Sequence, residues 1–212
     1  MGLYLAGFDV LGVDLRDQPN YPFAFVQGDA IEFIREHGHG FDLNSAGPPC
    51  QFDCTLTAGT NACYRERYPD LLEPTRQALE STGRPYVIEQ PPGRASRRMR
   101  VDLTLCGEMF RLGVLRHRNF ELGGWSMARP AHVPHHGRVA GYRHGVRYDG
   151  PYFQVYGNGG GKGTVAEWQD AMRIRWTDVR REIAEAIPPA YAEFIGRAAA
   201  RALGADLGTV AA

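Results

Sequence analysis

The sequence predicts an α/β domain on a parallel sheet, interrupted late by a small inserted lobe, and three observations predict it. Short apolar runs ending in polar or small residues alternate with helical patterns, as in strand–helix–strand units. The chain has 212 residues, 43% of them hydrophobic, which suffices for one good core and an appendage but is short for two full domains. After Glu121 the periodicity fades, and the stretch from Gly123 to Gly163 is rich in Gly, Pro, His and Tyr. That composition predicts an irregular lobe or long loops. The expected division is a main domain over 1–122 and 164–212, with a lobe over 123–163.

The elements follow in order. Gly2 to Gly7 is helix-like, Phe8 to Leu15 a strand, and Asp29 to Glu36 a helix. Phe41 to Ala46 is the next strand and runs straight into Gly47-Pro48-Pro49-Cys50. Pro69 to Ser81 reads as a helix stopped by Gly83, and Pro85 to Glu89 as a buried strand stopped by Pro91-Pro92-Gly93. Strands are expected at Val101 to Leu105 and Val114 to Glu121. Helices return at Val165 to Met172, Asp178 to Ile187 and Pro189 to Leu203, with Pro188-Pro189 setting a break and a helix start.

The opening MGLYLAGFDVLGVDL has no basic leader and reaches Asp9 and Asp14 early, and no window approaches the roughly 18 apolar residues of a spanning helix. A soluble, cytoplasmic, monomeric protein without membrane contact is expected. Four irregularly spaced cysteines do not describe a disulfide framework and should be thiols. The formal net charge of zero speaks against a nucleic-acid partner until the distribution is considered. No acidic residue occurs from Leu122 to Tyr148, while Arg129, Arg138, Arg143 and Arg147 are joined by His132, His135, His136 and His144. A second basic cluster, Arg94, Arg97, Arg98 and Arg100, lies upstream. A solvated face is the plain alternative for both.

Open parallel sheets bind ligands beyond the carboxyl ends of their strands, where Asp14, Cys50 and Glu89 all stand. A cysteine after two prolines sits on a stiffened loop with limited side-chain directions, which suits a nucleophile, although a buried structural thiol is the commoner fate of a cysteine. Arg116 and Arg118, spaced by two on an expected strand, would share one face. Gly159-Gly160-Gly161-Lys162-Gly163 fails the phosphate-loop pattern, since Gly163 stands where Ser or Thr is needed, and reads as a hinge. Cys50, Cys54 and Cys63 with His132, His135 and His136 offer no C-x2-C pair, so no metal site is expected, and Cys106 reads as a core thiol.

The blocks GVDL (12–15), GDAIEF (28–33), GPPCQ (47–51), VIEQPPG (87–93), LTLCGEMF (103–110), RHRNFE (116–121) and EAIPPAYAEFIG (185–196) occur in that order. In content and order they resemble the DNA cytosine-5 methyltransferases, in particular short forms from actinobacterial phages and their hosts. The resemblance implies a Rossmann-like S-adenosylmethionine-dependent methyltransferase fold whose inserted lobe recognises target double-stranded DNA. It implies Cys50 as nucleophile and Glu89 as its partner on the cytosine. It also implies Arg118 at the cytosine O2 and Arg116 at a flanking phosphate. For S-adenosylmethionine, it implies a site at Asp14, Leu15, Asp29, Ala30 and Pro49, with Asp14 on the ribose and Asp29 near the adenine amine.

The chain departs from the family in three places. Glu89 is followed by Gln90-Pro91 where the family has Asn-Val, and Val114 stands where a Gln is usual. The family's first strand and Gly-rich turn would precede Gly2, so the natural protein is expected to begin roughly 10 to 15 residues earlier, one strand plus a turn. Two other readings stay open: a DNA-binding remnant without donor binding, and a different pyrimidine C5-modifying enzyme using the same cysteine addition.

Overall fold

A computed structural model describes residues 1–52, 67–143, 146–157 and 163–204. The first helical turn, α1 (Gly2–Leu5), lies against the last helix, α6 (Pro189–Ala202). A Cβ at Gly2 would stand 2.2 Å from the Pro189 carbonyl oxygen, so only glycine permits this approach. Two parallel strands follow, β1 (Leu11–Asp14) and β2 (Ala24–Gln27), paired from Leu11 with Ala24 to Asp14 with Gln27. Asp29 then starts α2 (Ala30–His37): its Oδ1 accepts the Ile31 and Glu32 amides at 2.8 and 3.1 Å. These are two of the four amides that a helix start leaves without partners.

The main sheet runs in the order β3 (Asn44–Ala46), β4 (Tyr86–Gln90), β6 (Arg118–Gly123), β5 (Leu103–Leu105). β3 and β4 are parallel, with α3 (Leu72–Ser81) between them in the chain, but β6 is antiparallel to both neighbours. The sheet is therefore mixed where the sequence predicts a parallel one. Between β5 and β6 stands a 3-10 turn at Gly107–Phe110 in place of the crossover helix that usually joins parallel neighbours.

Alternation along the strands sorts side chains to the two faces. Val87, Leu103, Leu105, Phe120 and Leu122 face a core closed by the helices α4 (Val165–Met172), α5 (Arg180–Glu185) and α6. Tyr86 and Ile88 face the other way, against Leu72 and Leu79 of α3 and Met99. Helices thus cover both faces of a mixed sheet. On the α3 side Glu121, buried opposite Ile88, accepts Arg76 Nε and Nη2 at 2.8 and 2.9 Å and the Arg100 amide at 2.9 Å. Its hydrogen bond raises the Arg76 pKa above the ordinary arginine value.

Several boundaries differ from the sequence reading for local reasons. β6 begins at Arg118 and not at Val114, because Arg116 has φ 34° in the left-handed region, which ends an extended run. α5 ends at Glu185, with Ala186 already at ψ 152°. Ile187 precedes Pro188, and a residue before proline is driven from the helical region. The expected lobe contains a short hairpin, β7 (Gly141–Arg143) and β8 (Val146–Tyr148). The chain then returns to the main domain: Tyr152 and Val155 are buried, and the Phe153 amide donates to the Gly113 carbonyl at 2.8 Å. Among the described residues no helix is long and apolar enough to cross a membrane.

Candidate active site

Three strand ends meet at one edge of the main sheet. Because β3 and β4 are parallel, with Ala46 beside Ile88, the chain leaving β3 as Gly47-Pro48-Pro49-Cys50 runs beside Glu89 and Gln90. A Cβ on Gly47 would stand 3.5 Å from Glu89 Oε2, and Gln90 Nε2 donates to the Pro48 carbonyl at 2.6 Å. Cys50 follows two residues later as a half-buried thiol.

β6 supplies the third end. Its register sets Phe120 opposite Glu89, so Arg118 is the diagonal neighbour of Glu89 on the same face. Arg118 Nε lies 2.6 Å from Glu89 Oε1, yet Oε1 accepts no hydrogen bond and remains a buried acceptor. The two ions touch, but off the N–H direction. Burial pushes the Glu89 carboxyl above the usual carboxylate range, against the opposing pull of Arg118 and then Arg116. Such a group keeps its proton to higher pH than a solvated acid. It is suited both to donate to a basic ring nitrogen and to accept from an amine.

Arg116 takes a different place from Arg118. Its Nη1 donates to the Val155 carbonyl, and its Nη2 to the Ala184 and Ala186 carbonyls, each at 2.6 Å. Burial foremost, with the neighbouring Arg118, pushes its pKa down to about 9. The shared-face argument fails here because Arg116 lies outside β6 with a left-handed backbone. Its guanidinium clamps the returning lobe and the end of α5 to this strand end, whereas the sequence reading puts it on a phosphate. Tyr191 of α6, fully buried, completes the clamp by donating to the Arg116 carbonyl at 3.0 Å.

Beside the strand ends a cavity of about 330 Å³ opens between β1 and β3, and Asp14, Leu15, Asp29, Ala30, Pro48 and Pro49 are among its walls. All five residues assigned to the donor from the sequence therefore line one space. Within it Asp14 Oδ1 accepts the Arg16 amide at 2.8 Å, and Asp29 commits Oδ1 to the α2 cap. A second cavity, about 420 Å³, lies between the segment before β6 and the lobe, with Arg116, Arg118, Val139 and Gln154 in its wall. Arg118 thus joins Glu89 to the space under the lobe.

Of the upstream arginine cluster, Arg98 pairs with Asp70 at 2.6 Å and Arg100 with Asp102 at 3.0 Å, while Arg94 and Arg97 are exposed. Residues 131–138 of the lobe are also exposed. Cys54, Cys63, His144 and the Gly159–Lys162 part of the expected hinge lie outside the described residues. Sequence reasoning treats Gln90 only as a departure from Asn and misses its hold on Pro48; its place directly after Glu89 was the available signal. No protein-family model and no curated protein matches this chain.

Proposed function

We propose that the protein is a DNA (cytosine-5) methyltransferase with a Rossmann-like donor-binding fold, transferring a methyl group from S-adenosylmethionine to C5 of cytosine in double-stranded DNA. The observation that carries this reading is the convergence of the Pro48-Pro49-Cys50 loop, Glu89 and Arg118 at one sheet edge, beside a cavity lined by Asp14, Leu15, Asp29, Ala30 and Pro49. Three sequence blocks far apart in the chain supply one nucleophile, one buried carboxyl and one cation.

Cytosine C5 is a poor nucleophile, and thiolate addition at C6 makes it enamine-like. The Cys50 sulfur forms the bond to C6, and the ring electrons move toward N3 and O2. Glu89 gives a proton to N3 and accepts from the exocyclic amine, and Arg118 offsets charge at O2. C5 then takes the methyl group, S-adenosylhomocysteine leaves, the C5 proton goes to solvent, and elimination restores the thiolate as N3 returns its proton to Glu89. The target atoms are stacked inside a duplex, so the base must be flipped into the pocket, with the lobe over 123–163, free of acids as far as Tyr148, holding the DNA.

The test uses duplex DNA and methyl-labelled S-adenosylmethionine, with the product digested to nucleosides. Label in 5-methylcytosine is expected. DNA binding without label uptake would replace the proposal with a binding remnant, and label or adducts on another C5 substituent would indicate a different pyrimidine modification.

A further inference from the structure

We infer that Cys106, His117, His132 and His135 form a structural zinc site that fastens the loop after β6 to the sheet edge carrying Arg118. The inference is independent of the methyl-transfer proposal and departs from the metal-free expectation of the sequence.

Sheet register explains half of the cluster. Leu105 pairs with Arg118 in the antiparallel β5–β6 ladder, so the next step along each chain brings Cys106 and His117 opposite one another. The other half comes from the loop, where His132-Val133-Pro134-His135 returns over the same point. His132 Nε2 lies 3.0 Å from His117 Nε2, and His135 Nε2 lies 3.4 Å from Cys106 Sγ. All four ligand atoms lie within 4.8 Å of one another. Around zinc, with nitrogen at about 2.0–2.1 Å and sulfur at about 2.3 Å, tetrahedral ligand atoms stand roughly 3.3–3.6 Å apart. To reach that spacing the widest separations close by about 1 Å and the His117–His132 pair opens slightly.

Chemistry favours zinc over other cations. One thiolate and three imidazoles are a borderline-soft set with no carboxylate or carbonyl oxygen, which disfavours magnesium and calcium. Four protein ligands leave no open position, which is the pattern of a structural site. Proton-mediated pairing is a poor alternative, because three rings and a thiol turn lone pairs or protons toward one point. A separate contact brings the loop to the same place: His136 Nδ1 lies 2.5 Å from Glu108 Oε1, two residues beyond Cys106. The sequence reading missed the site because it weighed the histidines against Cys50, Cys54 and Cys63, and His132 and His135 share their point with Cys106 only after the strands pair.

The 212-residue chain, purified with zinc and dialysed, is expected to retain about one zinc per chain. Its cobalt(II) form should show intense tetrahedral bands and a thiolate-to-cobalt charge-transfer band. Cys50→Ser should keep that band and Cys106→Ser should lose it. His132→Ala and His135→Ala, at exposed positions that leave the core intact, should weaken metal affinity by more than the 10–100-fold typical of outer-shell partners. Chelation should also speed proteolysis within 126–138. No retained zinc and no charge-transfer band would overturn the inference, as would a band that survives in Cys106→Ser or an affinity unchanged in both histidine variants.

Discussion

Gln90→Leu separates stability from turnover at the loop that carries Cys50. Gln90 is buried, and its Nε2 donates to the carbonyl of buried Pro48 at 2.6 Å. Losing that bond costs about 0.5–1.5 kcal/mol, and stranding the Pro48 carbonyl costs about 1–3 kcal/mol more. Against this, Gln90 Oε1 is itself a buried acceptor without a partner, and its removal returns about 1–3 kcal/mol. The net loss is about 1 kcal/mol, a fall in melting temperature of about 2–4 °C for a chain of this size. Turnover should suffer more: the tether holds the Gly47–Cys50 loop against Glu89, and a displacement of about 1 Å at a reacting group costs on the order of 100-fold. Gln90→Asn keeps the amide but shortens the side chain by one methylene, so it should fail in turnover as well. The assays are thermal denaturation and single-turnover methylation of duplex DNA. A Leu variant that loses several degrees but turns over within about twofold of the parent would refute the positioning argument.

Glu89→Gln should lower turnover by about 2–4 kcal/mol, the worth of one transition-state donor, and barely change DNA affinity in a filter-binding assay; equal losses would reassign it to binding. Since its pKa is raised by burial and held down by Arg118, the acid form that the proposed reaction would use persists at low pH and is lost as pH rises through the shifted value. Arg118→Gln removes an opposing influence, so the alkaline limb of the rate profile should move to higher pH; movement to lower pH would contradict the pairing. Where half-buried Arg76 pairs with buried Glu121, Arg76→Leu should destabilise by about 3 kcal/mol, the low end for a pair out of water, in chemical denaturation, and Arg76→Leu with Glu121→Leu should recover most of it. No recovery would mean that the pair is not the cause.

Much of the site was legible because it sits on strand ends. Apolar runs ended by Gly47 and by Pro91 marked β3 and β4, and parallel pairing of those two runs brings their ends together. The cavity walls at Asp14 and Asp29 were legible for the same reason, one ending β1 and the other capping α2. What escaped depended on backbone conformation or on pairing across the chain. The φ of 34° at Arg116 has no composition cue, so a side chain counted onto a strand face turned inward to three carbonyls. β2 was missed although the apolar run Phe23 to Val26 between Pro22 and Gly28 marks it; the run is short and largely exposed. The antiparallel turn of β6 follows from a short irregular link that periodicity does not describe. The Cys106–His135 cluster needed both the β5–β6 register and the loop path.

The most direct test of the account is covalent trapping on duplex DNA in which the target cytosine is 5-fluorocytosine, with S-adenosylmethionine present. Fluorine cannot leave C5 as a proton does, so after methyl transfer the elimination stalls with Cys50 still bonded to C6. The account predicts a protein–DNA adduct that survives denaturation, carries the transferred methyl group, maps to the peptide containing Cys50, and vanishes in Cys50→Ala. An adduct that persists in Cys50→Ala, or no adduct from protein that binds both DNA and donor, would contradict it.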